Sequence, residues 1–350
     1  MRRLYHKSGY INAAYILHSP VPFTFVVGGR GIGKTYGVLE DLYRNDIPYI
    51  YMRRTQSQIE IAMTPEFSPW AAIPNVSRET IFRTDHKITS LYKLDGEEPQ
   101  PEPHAIGLSL STFSNIRGIN APRIRYIIYD EFIPEPRERL LKDEAGALMN
   151  AYETINRNRE LEGEPPLKLV CLANSNRIDN PVLQGWRLVD IALKMQETGQ
   201  EVHTIPERGI RLIRPTARAV SEAKRETALY KATTGTKFSK MALNNAFQTA
   251  DVPVHSRSLD GLVAVWCLGR TSKEAGDDES SVTIYAPKAT NGRWYITHHL
   301  SGTPEYFGTD PESLARFRRA AKVLPILDYN KMVDYEEYSC YTTLREIADW

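Results

Sequence analysis

Apolar residues in the first half of the chain come in short unbroken runs, each stopped by glycine or by charge. Residues 22–27 (PFTFVV) are β-branched and aromatic and run into Gly28, the pattern of a strand buried on both faces before a turn. Residues 34–43 have helical spacing, and a second run at 47–52 follows closely. Strand, helix and strand at this spacing predict a parallel unit. Residues 124–132 (IRYIIYDEF) and 167–174 (LKLVCLAN) are two more such runs. Four buried strands of this kind predict a mainly parallel sheet with helices on both faces. Between the second and third runs, residues 81–111 alternate and enclose an acidic, proline-rich turn at 95–103, which predicts a β-hairpin insertion. Residues 137–160 and 181–197 predict helices.

The pattern changes after about residue 200. Residues 216–250 are alanine-rich, basic and helical in spacing, and VPVHS after them reads as a linker. Residues 260–300 then alternate apolar and polar in LVAVWCLG, VTIYAP and RWYITHHL, with the acidic turn KEAGDDESS between the first two. That is a β-meander, hence a second domain, covered by helices at 311–321 and 341–350. The expected organisation is residues 1–200, a helical linker region at 201–252, and a C-terminal domain at 253–350.

Composition narrows the function classes. At 350 residues and 41% hydrophobic, two domains are the better expectation. The 44 basic and 43 acidic residues nearly cancel, so bulk charge gives no argument for coating nucleic acid. Cys171, Cys267 and Cys340 are too scattered for a disulfide framework or a metal knuckle. The chain start lacks the apolar core of a signal peptide, and no apolar run approaches a bilayer span. A cytosolic protein without a membrane is the expectation.

The chemistry concentrates in Gly28-Gly29-Arg30-Gly31-Ile32-Gly33-Lys34-Thr35, a full G-x-x-x-x-G-K-[ST] match placed after a strand and before a helix. Glycines let backbone N–H groups turn inward around phosphates, and the helix N-terminus adds its positive end. Lys34 is expected to reach the outer phosphates of ATP and Thr35 to ligand Mg²⁺, with Tyr36 beside them. Hydrolysis needs a metal-orienting acid and a group that activates water. Asp130, at the end of the third run, and Glu131 supply the pair. Asp130 lies 96 residues beyond Lys34, room for an added strand, which favours the additional-strand, catalytic-glutamate class over a compact nucleotide kinase.

Around this core stand weaker candidates, each with a plainer reading. Asn174 ends the fourth run, where strand C-termini form the ligand crevice; it is the sensor candidate, with Asn176 as its substitute and a helix cap as the alternative. Arg157 and Arg159 of INRNRE suit either a catalytic arginine or a solvated helix end. Arg117 reads as a nucleotide or subunit contact, or as a turn residue. Arg53 and Arg54, closing PYIYMRR, read as nucleotide or DNA contacts, or as a charged strand end. His298 and His299 lack metal-ligand spacing and read as structural.

The set FVVGGRGIGKT, YIYMRR, SNIRG, IIYDEF, INRNRE and LAN, in that order, resembles the encapsidation ATPases of phi29-type phages, relatives of large terminase subunits. SKMALNNAF (239–247) resembles their interdomain segment. The resemblance implies an α/β, additional-strand P-loop ATPase followed by a small degenerate ribonuclease-H-like domain. It implies a homomeric, pentameric ring on the portal of the procapsid, in the host cytoplasm, pumping double-stranded DNA, with a packaging RNA in the phi29 case. Carried over residue by residue, the phosphate-loop lysine falls on Lys34, the metal aspartate on Asp130, the catalytic glutamate on Glu131, the trans-acting arginine on Arg157 and a second trans-acting cation on Arg117. Nuclease action would need carboxylates converging on two metals; Asp260, Asp310, Asp328 and Asp334 have no such arrangement in the sequence, and no cleavage is expected. Arg316, Arg318 and Arg319 are the C-terminal candidates for gripping DNA, RNA or the portal. The competing functions are a helicase or AAA-type remodeller and a slow nucleotide switch; Glu131 argues against the latter.

Overall fold

A computed structural model describes residues 3–116, 122–135, 138–139, 141, 143–247, 249–250, 252–273 and 280–350. The chain divides into two compact units, Met1–Val182 with Lys194–Gln248, and Leu183–Leu193 with Thr249–Trp350.

The first unit is built on one large sheet. Its strands are β1 (Phe23–Gly28), β2 (Tyr49–Arg53), β3 (Thr80–Asp85), β4 (Ile88–Asp95), β5 (Glu98–Pro99), β6 (Ala105–Ser109), β7 (Tyr126–Asp130), β8 (Lys168–Asn174), β9 (Val202–Ile205) and β10 (Ile210–Ile213). The order is β3-β4-β6-β2-β7-β8-β1-β10-β9, with β5 pairing on β4. From β6 to β10 neighbouring strands are parallel; β3, β4 and β9 are antiparallel additions at the two ends. β1 and β2 are both in the parallel core, yet β8 and β7 lie between them.

Two departures from the sequence reading matter for the site. Residues 105–109, expected inside a hairpin insertion, form β6 and pair in parallel with β2 over its whole length. Only β3 and β4 make the hairpin. Residues 202–213, expected in the helical linker region, form β9 and β10, and β10 lies directly beside β1 with Val26 opposite Ile213. Short strands are specified by their partners more than by their own pattern. The rest of that region forms short helices, Arg218–Arg225, Ala228–Ala232 and Lys237–Asn244. The helix expected over 137–160 is shorter, Glu144–Asn156.

The core between the sheet and its helices is continuous: Val38, Leu39 and Leu42 of the helix Lys34–Arg44 pack with Val26, Tyr51, Ile128, Val170 and Leu172. An N-terminal segment adds to this face. Asn12 caps the short helix Ala13–Leu17, and the Ile11 amide donates to the Ile32 carbonyl at 3.0 Å.

In the second unit, β11 (Leu262–Leu268), β12 (Val282–Pro287) and β13 (Trp294–Thr297) form the antiparallel meander. β14 (Glu305–Phe307) adds in parallel to β11, and β15 (Val333–Tyr335) in parallel to β13. The alternation read at 260–300 thus forms the centre of a small mixed sheet of five strands. The supposed linker VPVHS pairs into it, Val254 bridging to Tyr335. Helices Pro311–Ala320, Leu324–Tyr329 and Tyr338–Ala348 complete the unit. Among the described residues no helix is long and apolar enough to cross a membrane.

Candidate nucleotide site

The parallel strands β1, β7 and β8 end at one edge of the sheet, and the chemistry predicted from the sequence gathers there. A cavity of 310 Å³ is lined by Arg30, Gly31, Gly33, Lys34, Thr35, Tyr36, Asp130, Glu131, Ala173 and Asn174. Gly33 opens the helix Lys34–Arg44 at φ 91°, a conformation that favours glycine. Gly29 is pressed against the helix Lys237–Asn244: a Cβ there would stand 2.6 Å from the Ala242 carbonyl oxygen. Ile32 turns its side chain inward, packing on Ala217 and Val220. Gly28, Gly29 and Ile32 therefore shape the loop through their backbone, while Arg30, Gly31 and Gly33 border the cavity.

Lys34 is buried, and its Nζ donates to the carbonyls of Gly28 (3.1 Å) and Gly29 (2.7 Å) and to Asn174 Oδ1 (3.1 Å). Burial pulls its pKa down from the ordinary lysine value to about 7, against the attraction of Asp130. Thr35 Oγ1 donates to the Asp130 carboxylate at 3.0 and 3.1 Å. That carboxylate also accepts from the Tyr51 hydroxyl at 2.8 Å and from the Glu131 amide at 3.1 Å. Paired hydroxyl and carboxylate oxygens are the donor set that suits Mg²⁺, so these residues fit the metal. Asn174 rather than Asn176 faces Lys34; Asn176 is buried, with its Oδ1 unpartnered.

Glu131 follows the end of β7 with a positive φ of 55°, which costs a non-glycine residue of order 1 kcal/mol or more. Its carboxylate is paired with Arg53. Burial raises its pKa, and the Arg53 cation works in the opposite direction. Arg53 also donates to the Tyr51 hydroxyl at 3.2 Å and stands 3.6 Å from Asp130. Tyr51, unforeseen in the sequence, is two residues before Arg53 and so on its face of β2; that spacing was the available signal.

Arg54 corrects an expectation. It does not line the cavity: it is 1% exposed and donates to Glu144 at 2.9 and 3.2 Å, to Glu138 at 3.0 Å and to the Arg139 carbonyl at 3.0 Å. Successive strand residues point to opposite faces, so neighbouring arginines cannot serve one ligand alike.

Arg157 lies at the other edge of the sheet. It caps the C-terminal end of the helix Glu144–Asn156 at φ 49°, ψ −131°, where the Asn156 side chain accepts from the Leu167 amide, just before β8 begins. Arg159 is buried there, donating to the carbonyls of Pro122 and Ile124 ahead of β7. The end of the helix that carries Arg157 is thus tied ahead of the start of β8, whereas Lys34 meets Asn174 at the end of that strand. Arg117 lies outside the described residues.

In the second unit the four carboxylates each have a neighbour within the fold. Asp260 accepts from Ser258, Asp310 caps the helix Pro311–Ala320, Asp328 accepts from Tyr335, and Asp334 holds Arg257 and Arg293. His298 bridges Ser281 and Ser339. Arg316 pairs with Glu305, Arg318 donates to the Ala348 carbonyl, and Arg319 is exposed.

Comparison with known proteins extends the reading. Residues 5–267 match the family model described as Podovirus DNA encapsidation protein (Gp16). The DNA packaging protein of Bacillus phage phi29 is 25% identical over 264 residues, covering 73% of this chain and 71% of that protein. That of Bacillus phage B103 is 26% identical over 242 residues, 67% of each chain. The fold is similar to the structure described as the Phi-28 gp11 DNA packaging motor, with a TM-score of 0.66 and 18% identity over 98% of this chain and 99% of that one. It is also similar to the bacteriophage phi29 viral genome packaging motor assembly, with a TM-score of 0.62 and 16% identity over 97% and 99%. These similarities do not favour the helicase or remodelling reading.

Proposed function

The chain belongs to the podovirus DNA encapsidation protein (Gp16) family, and on that premise we propose that it is an ATP-driven motor moving double-stranded viral DNA into a preformed phage capsid. The observation that carries the reading is the convergence of Lys34, Thr35, Asp130, Glu131 and Asn174 on one cavity at the C-terminal edge of the parallel strands. Glycine-turned backbone amides cradle the triphosphate, and Lys34 and Asn174 orient its outer end. Thr35 and Asp130 would hold Mg²⁺, which would supply neutralisation of phosphate charge. Glu131 accepts the proton of the attacking water. Arg53 holds the Glu131 carboxylate and must release it for that step.

Arg157 acts on the nucleotide of an adjacent subunit, because its own cavity lies across the sheet. Arg117 assists in the same sense. The assembly is a homomeric ring, taken as pentameric, seated on the portal of the procapsid in the host cytoplasm, with a packaging RNA as a further partner. The second unit grips or docks and does not cleave: Asp260 and Asp328 are held by hydroxyls, Asp310 by a helix cap and Asp334 by two arginines.

The test is ATP hydrolysis by the purified protein with procapsids and double-stranded DNA. Turnover rises with DNA, Glu131→Gln binds ATP without turning it over, and Arg157→Ala regains activity when mixed with Lys34→Ala subunits. Undiminished turnover of Lys34→Ala refutes the site, and strand separation of duplex DNA refutes the motor reading in favour of a helicase.

A further inference from the structure

Glu144 is 0% exposed and does not line the nucleotide cavity. Two side chains hold it: Arg54, through Nε and Nη2, and the Tyr129 hydroxyl at 2.7 Å. Both holders sit one residue from the cavity machinery. Arg54 follows Arg53, which grips Glu131 and stands beside Asp130; Tyr129 precedes Asp130 on β7. β2 and β7 are adjacent and parallel, so both strands present to Glu144 the alternate residues of the pairs that serve the nucleotide.

Glu144 is also the first residue of the helix whose other end is Arg157. That helix has 13 residues, about 20 Å at 1.5 Å per residue. Leu148, Ala151, Tyr152 and Ile155 bury one face of it, and the Tyr152 hydroxyl donates to the Leu167 carbonyl at 3.0 Å. A close-packed helix transmits a shift at one end to the other because it cannot compress. At the far end, Arg157 has a positive φ with an extended negative ψ, a strained cap for a non-glycine residue. Such strain persists where surrounding structure imposes it and is found at switch positions.

We propose that Glu144 is a positioning residue that links one subunit's nucleotide site to the arginine it offers its neighbour: displacement of Arg53 or Asp130 shifts Tyr129 and Arg54, and the helix re-aims Arg157. This rests on the shared-site reading above. It makes Glu144 act in trans, through Arg157, although it lies near its own chain's site.

Mixed-subunit ATPase measurements with DNA and procapsids test it. Glu144→Gln alone lowers turnover about 5- to 150-fold, the usual range of coupling between sites. In an equal mixture with Lys34→Ala, about a quarter of neighbouring pairs join an intact site to an intact arginine, and turnover recovers to that fraction. Mixed with Arg157→Ala, Glu144→Gln recovers nothing. Tyr129→Phe, which removes a single hydroxyl and leaves the ion pair, repeats the pattern more mildly and covers the case in which Glu144→Gln fails to fold. Recovery of Arg157→Ala but not of Glu144→Gln or Tyr129→Phe with Lys34→Ala overturns the inference and leaves the shared site standing. Failure of Arg157→Ala itself to recover overturns both.

Discussion

Arg53 and Arg54 are adjacent and chemically identical, and the structure predicts that replacing each with Met has different consequences. Arg54 is 1% exposed against a Glu144 that is 0% exposed. Arg54→Met leaves a buried carboxylate without its cation, a change that costs about 3–5 kcal/mol. In a unit of this size each kcal/mol lowers Tm by about 2–4 °C, so the fall is about 6–20 °C. Arg54→Met with Glu144→Leu removes both charges and recovers most of that loss, since a buried pair replaced by apolar groups is often neutral. Arg53 is the contrast. Its partners Tyr51, Asp130 and Glu131 also hold one another, and the lost hydrogen bonds cost about 1–2 kcal/mol, but its removal frees the Glu131 carboxylate and disturbs turnover. Calorimetric unfolding of the three variants, beside nucleotide affinity, separates the two roles. An Arg54→Met protein that melts like the wild type and has lost ATP binding would refute the assignment of Arg54 to the interior.

Two further outcomes follow from the same geometry. His104 is buried between the rings of Tyr43 and Tyr49, and burial with the nearby Lys93 lowers its pKa to about 4. The unfolded chain protonates this histidine near pH 6.5 and so binds more protons below that value; stability therefore falls as pH drops from 6.5 towards 4, by about 3 kcal/mol in all. Urea unfolding at pH 7 and pH 4.5 should show a smaller loss in His104→Leu than in the wild type, and an equal loss counts against a buried neutral imidazole. Gly29→Ala forces its Cβ onto the Ala242 carbonyl oxygen, an overpacking of about 1–3 kcal/mol that weakens ATP binding by displacing the loop; unchanged affinity, measured by calorimetric titration, contradicts the close approach.

How much of this was legible depended on the range over which each feature is specified. The phosphate loop, the acidic strand end and Asn174 are local: a strand, a turn and the next few residues suffice, and all three meet at the cavity. The separate fates of Arg53 and Arg54 were also written locally, in the alternation of YIYMRR, although strand-end charge alone suggested that they act together. β6 was hidden because Ala105–Ser109 closes an alternating stretch; only its parallel pairing with β2 marks it as a core strand. Neither β9 nor β10 has the length or apolar density that announces a strand by itself.

The segment SKMALNNAF shows where local reading stops. Its helical spacing is evident, but nothing in it tells what the helix covers. In the fold, Ala242 closes over Gly29, and Asn245, at φ 53°, donates from its side chain to the Val27 carbonyl at 3.0 Å and the Pro215 carbonyl at 3.2 Å. Arg214 in turn donates to the Asn245 carbonyl and lies over the Phe247 ring. The strand that enters the phosphate loop is thereby tied, 218 residues along the chain, to a segment whose pattern says only helix and turn. A lost Asn245 leaves the Val27 carbonyl buried without that donor, at a cost of about 1–3 kcal/mol. The glycine motif determines how backbone amides turn toward a phosphate, whereas the rigidity with which they are held comes from Asn245, Ala242 and Ile11, residues that only the tertiary fold brings to the loop.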